Sequence, residues 1–376
     1  MQDASGALVS VIVPIYNASQ FLKQCLDSIC MQTHRNLEIL CINDGSTDNS
    51  LDILRSCAQR DARIRIIDKE NGGYGAGCNR GIAEAKGEWV SIIEPDDWID
   101  SGMYGDMLAF AAQFQQSIDI IKTPWWDVMN WNDSQLMEEH PCPLVCHMKR
   151  SAHSFTLADN PQLLEFHPGI WSALYRKEFL VGNNIKFPEY PGAGWADNPF
   201  LADVLARAKA IVYYDRAYYH YRSDLPGSTL NHATEDAVRR PFDRWMTMLE
   251  ILEAANATNE KVLESLYMRG FTYVEGAMYD DGVDNPIVQE GARRIFGVMD
   301  KEIVLNSSKL SGRRKREFCR VLGLKPGFYA SFGRVAYLVR DACNFVRVYG
   351  LAAFLERFGV RWSGRKRDAE VKRDFA

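Results

Sequence analysis

Apolar β-branched runs and amphipathic stretches alternate over the first hundred residues. Residues 8–14 (LVSVIVP) form a run suited to a strand buried on both faces. A helix is expected from about residue 18, with Phe21, Leu22, Cys25, Leu26 and Ile29 on one face at 3–4 spacing. Residues 37–43 (LEILCIN) read as a second strand, and the Asp44-Gly45-Ser46 turn leads to a helix capped by Ser46 or Thr47. A short strand over 63–68, a helix over 72–85 and a strand over 89–93 complete a βαβαβαβ pattern. Such a pattern predicts a mainly parallel sheet with right-handed crossovers.

Residues 100–235 are less regular and rich in Trp, Tyr and Pro. Helices are predicted near 102–115 and 197–208, and strands over 118–122, 211–214 and 218–222. Beyond residue 235 the pattern is helical almost to the end. The expected organisation is an α/β unit over 1–230, divided into halves 8–100 and 101–230, followed by a helical region over 231–376.

Composition narrows the class. With 47% hydrophobic and 25% charged residues, the 376-residue chain has the balance of a globular protein rather than a disordered one. Net charge of −5 gives no general case for nucleic-acid binding. The charge is uneven, because residues 311–376 hold 16 Lys/Arg against 6 Asp/Glu. Nine scattered cysteines suit reduced thiols in a cytoplasmic chain. No basic segment precedes the apolar N-terminal stretch and no continuous apolar run reaches spanning length, so neither a signal peptide nor a transmembrane helix is expected.

Ligands of parallel α/β sheets sit at the carboxyl ends of strands. Three polar clusters fall at such ends: Pro14-Ile15-Tyr16-Asn17, residues 43–48 (NDGSTD) and Glu94-Pro95-Asp96-Asp97. One crevice can therefore collect an aromatic ring, backbone N–H groups and several carboxylates. Clustered carboxylates repel unless a hard cation such as Mg²⁺ or Mn²⁺ compensates. Neither a dinucleotide-binding fingerprint nor a P-loop is present.

These segments (VSVIVPIYN at 9–17, LDSICMQT at 26–33, INDGSTDNS at 42–50, NRGIAEAKGEW at 79–89 and EPDDW at 94–98) resemble the inverting family-two glycosyltransferases. The resemblance resumes at 171–176, 196–200 and 221–228. It implies a GT-A nucleotide-diphospho-sugar transferase fold, with a mainly parallel Rossmann-like sheet, a UDP-sugar donor and a divalent cation, Mg²⁺ or Mn²⁺. Position by position, it implies that Pro14 and Tyr16 flank the base, with Tyr16 stacked on uracil, and that Asn17 belongs to the donor-binding set. Asp44 would accept from uracil N3–H. Asn79 and Arg80 would border the diphosphate-sugar. Asp96 would be the last acid of a metal-binding D-x-D motif whose first acid is here Glu94.

Structural roles are open to the same residues. Tyr16 can be a strand-end aromatic, Asp44 a turn acid and Asp97 a cap for a helix starting near Ile99. Arg80 can pair with Glu84 at i, i+4.

Inverting transfer needs a base for the acceptor hydroxyl. The resemblance assigns that role to Asp197, where Ala196 replaces a family acid; a helix N-cap ahead of Pro199 is the structural alternative. Trp195 and Trp171 are the acceptor-platform candidates among the crowded aromatics of the middle segment. Arg222, before Pro226-Gly227-Ser228, corresponds to a flexible loop over the diphosphate. His140, Cys142, Cys146 and His147 fit no common zinc spacing.

An apolar stripe of Phe332, Val335, Val339, Ala342, Val346 and Tyr349 lies among basic residues, with Arg313–Arg316 before it and Arg365–Arg367 after it. That pattern suits an anionic membrane surface or a helix packed on the acidic body. The combined expectation is a metal-dependent transferase acting at the inner face of the cytoplasmic membrane. It would move a sugar from a UDP-sugar to a glycan or lipid-linked acceptor in cell-surface polysaccharide synthesis. A non-catalytic sugar-nucleotide-binding or scaffold protein is the rival, given Glu94 and Ala196.

Overall fold

The structure, a computed structural model, describes residues 6–133, 135–225, 234–325, 327 and 332–357. The chain begins β1 (Val9–Ile15), α1 (Leu22–Cys30), β2 (Leu37–Asp44), α2 (Ser50–Arg60), β3 (Ile64–Lys69), α3 (Tyr74–Glu84) and β4 (Trp89–Ile92). Next come β5 (Trp98–Ile99), α4 (Met103–Ala111), β6 (Ile120–Lys122), β7 (Trp125–Met129), β8 (Glu138–Pro141) and α5 (Leu144–His147). A 3₁₀ turn at Pro161–Leu164 precedes β9 (Ala173–Arg176), α6 (Lys177–Gly182), α7 (Asp197–Arg207), β10 (Ile211–Tyr213) and β11 (Tyr219–Arg222). Helices follow: α8 (Glu235–Ala254), α9 (Glu260–Asp280), α10 (Pro286–Val298), α11 (Lys301–Asn306), α12 (Gly312–Val321) and α13 (Phe332–Arg357).

The main sheet has seven strands in the order β10-β6-β9-β4-β1-β2-β3. All neighbours are parallel except β9, which runs antiparallel to both β4 and β6. Every residue of β1 is buried, as its unbroken apolar run requires at the sheet centre. The chain steps from β1 outward to β2 and β3, then returns to place β4 on the other side of β1. This reversal opens a crevice at the carboxyl ends of β1 and β4.

A second sheet, β5-β11-β7-β8, forms from segments the hydrophobic pattern did not fully reveal. The strand expected over 218–222 belongs to it, paired in parallel with β7 and antiparallel with β5, rather than to the main sheet. No helix starts near Ile99; that residue is strand, and α4 begins at Met103. Ser46 and Thr47 do not cap α2, because both contact Asn17, and Asn49 occupies the cap position.

The C-terminal helices have conventional starts. Thr234, Asn259, Asn285, Asp300 and Ser311 each accept a hydrogen bond from a first-turn N–H. Helix α8 packs along α7, and α9 packs against the 3₁₀ turn and α8, so this region rests on the half that carries Asp197. The 313–316 basic run divides: Arg314 pairs with Glu275 at 2.6 Å and buried Lys315 donates to the Leu305 carbonyl, while Arg313 and Arg316 are exposed. Among the described residues no helix is long and apolar enough to cross a membrane.

Candidate active site

The wall formed by β1 and β2 is built from local hydrogen bonds. Asn17, at a φ of 51°, turns the chain after β1. Its Oδ1 accepts from the Thr47 N–H at 2.8 Å, and its own N–H donates to Ser46 Oγ at 3.1 Å, tying the two strand-end loops together. Asn17 thus shapes the crevice edge with its side chain already engaged. Beside it Tyr16 is 54% exposed, a large aromatic left open at the end of a buried strand that also holds Pro14.

Asp44 ends β2 and is only 4% exposed. Its carboxylate accepts from the Gly72 N–H at 2.9 Å, the Gly73 N–H at 2.8 Å and the Lys69 ammonium. Those three donors fix the carboxylate plane without occupying all of its roughly four lone-pair positions. Gly73 is required here: its φ is 87°, and a Cβ would lie 2.4 Å from the Tyr190 carbonyl oxygen.

Glu94, Asp96 and Asp97 follow β4. Asp97 is structural: its carboxylate accepts from the Tyr219 hydroxyl at 2.7 Å and from the Arg222 N–H at 2.9 Å, binding this loop to β11. Glu94 accepts from the Tyr74 hydroxyl at 2.5 Å. Burial, reinforced by the neighbouring Asp96 charge, pushes its carboxyl up to about 8. Burial also raises Asp96, with partial relief from Arg222. Glu94 and Asp96 therefore form a close acidic pair whose joint ionisation is opposed. Such hard oxygen donors suit Mg²⁺ or Mn²⁺, which take one or two protein carboxylates and complete their shell from diphosphate and water. Among the described residues no group of three His, Cys, Asp or Glu side chains could hold a metal, so two protein carboxylates fit a shared cation rather than a closed protein cage. The same observation disposes of a zinc site at Cys142 and Cys146, both of which are buried.

Asp197 opens α7 on the facing wall. It follows a loop with three consecutive-turn positive φ angles, at Gly192 (65°), Gly194 (59°) and Trp195 (56°). A bulky side chain in that region is strained and needs support from its surroundings. The Tyr273 ring packs 5.4 Å from the half-buried Trp195 ring, and Arg244 of α8 donates to the Gly194 carbonyl at 2.7 Å. Burial raises the Asp197 carboxyl, and Arg269 of α9 offsets part of that rise. The Asp197 charge adds to the rise of the Glu94 carboxyl and of the Tyr74 and Tyr221 hydroxyls, all of which burial raises first.

Four expected contacts look different in the structure. Asn79 spends its side chain on the 187–189 segment, donating to the Phe187 carbonyl and to Glu189, each at 2.9 Å. Arg80 pairs with Glu84 at 2.9 Å, along the helix. Arg222 is no flexible-loop residue: it lies in β11, 5% exposed, with its guanidinium 4.5 Å from the Trp98 ring centroid. It holds the Asp96 backbone carbonyl and Gln24, so it shapes the acidic loop from behind. Pro226, Gly227 and Ser228 lie outside the described residues. Trp171 is 3% exposed, with Tyr219 stacked on it at 3.9 Å and Tyr221 at 5.2 Å; its covered faces make it a floor beneath the site rather than an acceptor platform. Tyr74, Lys69 and Tyr219 were not singled out from the sequence. The position of Tyr74 within the 72–77 glycine-rich turn was the available signal.

Comparisons with known proteins identify the family. A profile described as Glycosyl transferase family 2 matches residues 10–180. The chain is 30% identical over 269 residues to the putative glycosyltransferase EpsH of Bacillus subtilis (strain 168), covering 68% of this chain and 71% of EpsH. The chain belongs to glycosyltransferase family 2. An uncharacterized glycosyltransferase of the same organism, EpsJ, is 30% identical over 58% of this chain, and the match spans 61% of EpsJ, under two thirds of its length. The crystal structure of S. aureus TarS 1-349 in complex with UDP-GlcNAc superposes with a TM-score of 0.65 at 18% identity, covering 91% of this chain and 92% of that one. That likeness shows a shared fold over nearly the whole chain, with the GT-A fold in its α/β part and helices beyond it.

Proposed function

We propose that this family-two protein is an inverting, divalent-cation-dependent transferase moving a sugar from a UDP-sugar to a hydroxyl of a glycan or lipid-linked acceptor in cell-surface polysaccharide synthesis. The observation that carries this reading is the position of Tyr16, Asp44 and the Glu94–Asp96 pair at the carboxyl ends of the neighbouring parallel strands β1, β2 and β4, at the sheet's switch point, with the Asp197 charge adding to the rise at Glu94. The UDP-GlcNAc complex of TarS supports a uridine nucleotide as donor.

The open face of Tyr16 offers a stacking surface for uracil. The preoriented Asp44 carboxylate offers an acceptor for N3–H, a contact an unprotonated cytosine ring nitrogen cannot make. Glu94 and Asp96 would hold Mg²⁺ or Mn²⁺; when bound, the cation supplies positive charge against the charge gathering on the departing UDP. Asp197 takes the proton of the acceptor hydroxyl as that oxygen attacks the anomeric carbon from the face opposite UDP. The new C–O bond forms as the bond to UDP breaks, and UDP leaves with the electron pair. Trp195 stands beside Asp197 as the acceptor-side aromatic.

Asp197→Asn is the direct test. Calorimetry should find UDP-sugar binding near wild type, while transfer falls by about 10²–10⁴-fold, the usual contribution of a general base. Loss of donor binding would instead make Asp197 a donor-site residue.

The lipid-linked acceptor draws support from α13. Val335, Leu338 and Val339 are 59%, 47% and 57% exposed at i, i+3 and i+4, beside exposed Arg340. The other end of the stripe packs on the body, where Tyr349 donates to the Pro141 carbonyl at 2.6 Å. The Phe332 side chain and Arg365–Arg367 lie outside the described residues. Each surface Lys or Arg adds about 1 kcal/mol near anionic lipid. The protein should sediment with anionic vesicles and release at high salt. Failure to bind them removes the support for a lipid-carried acceptor.

A further inference from the structure

Helix α9 places Arg269 and Tyr273 one turn apart, on the face turned toward α7. Arg269 is 2% exposed, although a guanidinium buried without compensation is costly. Its Nη1 donates to the Leu164 carbonyl at 3.1 Å, which anchors it to the 3₁₀ turn, and its Nε donates to the Tyr273 hydroxyl at 2.8 Å. The Tyr273 hydroxyl donates in turn to Asn198 Oδ1 at 2.6 Å. Asn198, itself 4% exposed, donates through Nδ2 to Asp197 Oδ1 at 3.1 Å. The chain of donors therefore runs one way, from guanidinium to phenol to amide to carboxylate. Successive hydrogen bonds of one direction polarise each other in a low-dielectric interior.

We propose that Arg269 and Tyr273 are positioning residues, which act through Asn198 to hold Asp197 Oδ1 so that Oδ2 meets the acceptor hydroxyl. The inference rests on the reading of Asp197 as the base. It gives the C-terminal helices a part in the transfer step, beyond any part in anchoring. Two features separate this chain from ordinary packing. Each member donates to the next, and the chain ends on a carboxylate already raised by burial, where the distant cation favours the ionised form required of a base. Tyr273 also supports the strained Trp195 next to the same carboxylate, so a single side chain braces both acceptor-side residues.

The test is a double-mutant cycle on the full chain. Tyr273→Phe removes one oxygen and keeps the ring against Trp195. It should lower kcat roughly 10- to 100-fold, the range for a reacting group that loses its orientation. The donor KM should stay near wild type, and the thermal midpoint should fall modestly, since Arg269 Nε and Asn198 Oδ1 each lose a buried partner. Arg269→Lys, which keeps the charge, should retain more activity than Arg269→Met. Because Tyr273 acts through Asp197, adding Tyr273→Phe to Asp197→Asn should cost little more than Asp197→Asn alone. A wild-type kcat for Tyr273→Phe, or full additivity in the double variant, overturns the proposal and leaves the base assignment standing. An Asp197→Asn variant that turns over near the wild-type rate overturns the base assignment itself, whatever Tyr273→Phe does.

Discussion

Asp44 and Asp197 are both carboxylates at the ends of regular elements facing one crevice, yet they are held from different distances along the chain. All three donors to Asp44 come from Lys69, Gly72 and Gly73, within 29 residues of it. Asp197 depends on Asn198, and Asn198 depends on Tyr273, 75 residues further on, in a different structural region. The wall that carries Asp44, the proposed donor side, is thus completed inside the first α/β half. The wall that carries Asp197, the proposed acceptor side, is finished only when α8 and α9 dock. A consequence is that donor binding should survive damage to the C-terminal helices better than transfer does.

The largest expected effect lies with the acidic pair, which the proposed function sets against the donor diphosphate. Asp96→Asn should abolish most turnover. Glu94→Gln should cost less, because Glu94 shares its charge with the Tyr74 hydroxyl and carries the longer side chain. Steady-state rates across a Mn²⁺ titration measure both. A larger loss from Glu94→Gln would reverse the order assigned to the two acids.

The contact between the walls comes next. A Cβ on Gly75 would lie 2.1 Å from the Pro188 carbonyl oxygen, so Gly75→Ala must push the 187–195 loop away from α3. Overpacking of this kind costs about 1–3 kcal/mol. The acceptor KM should rise with UDP affinity unchanged, since Asp44 and Tyr16 lie on the other side of the contact. If UDP affinity falls as well, the two walls are not independently held.

Legibility in the sequence follows the same division. The β1 and β2 runs are apolar throughout because both sheet faces are covered, so strand positions, their polar ends and the crevice could be read from pattern alone. Asp44, Tyr16 and Asp96 stand where that reading put them. The second sheet was harder, because β5 has two residues and β8 reads Glu-Glu-His-Pro at an exposed edge. With that sheet unseen, the strand expected over 218–222 has no assigned partners, and Arg222 takes the role of a cation over the diphosphate rather than that of a side chain caged by Trp98. Trp171 and Trp195 are the same residue type in one aromatic-rich segment; only tertiary packing covers the first and strains the second. No local spacing connects Asn198 to Tyr273, so the support of the base could not be read before the helices were placed.

The smallest effect sharpens the comparison through two lysines. Lys69 meets Asp44 as an ion pair at the crevice, whereas Lys122 of β6 is 6% exposed beneath the acceptor half. The Lys122 nitrogen donates to the Gly169 carbonyl and to Ser172 Oγ, two acceptors that match the two N–H bonds of a neutral amine. Burial lowers Lys122 to about 7, far below its value in an unfolded chain, about 10.4. Between those values the unfolded chain binds more protons than the folded one, so stability must rise with pH across that window. Below it both states are protonated and the burial penalty is constant. The thermal midpoint of the wild type should therefore climb from about pH 7 to about pH 9 relative to Lys122→Met, which has no charge to lose. Lys69→Met should instead weaken UDP binding, since its ammonium helps fix the Asp44 carboxylate. A constant difference between wild type and Lys122→Met across that pH range would mean that Lys122 stays charged, held as a buried cation by the Gly169 carbonyl and Ser172 Oγ, unlike the partly exposed, ion-paired Lys69.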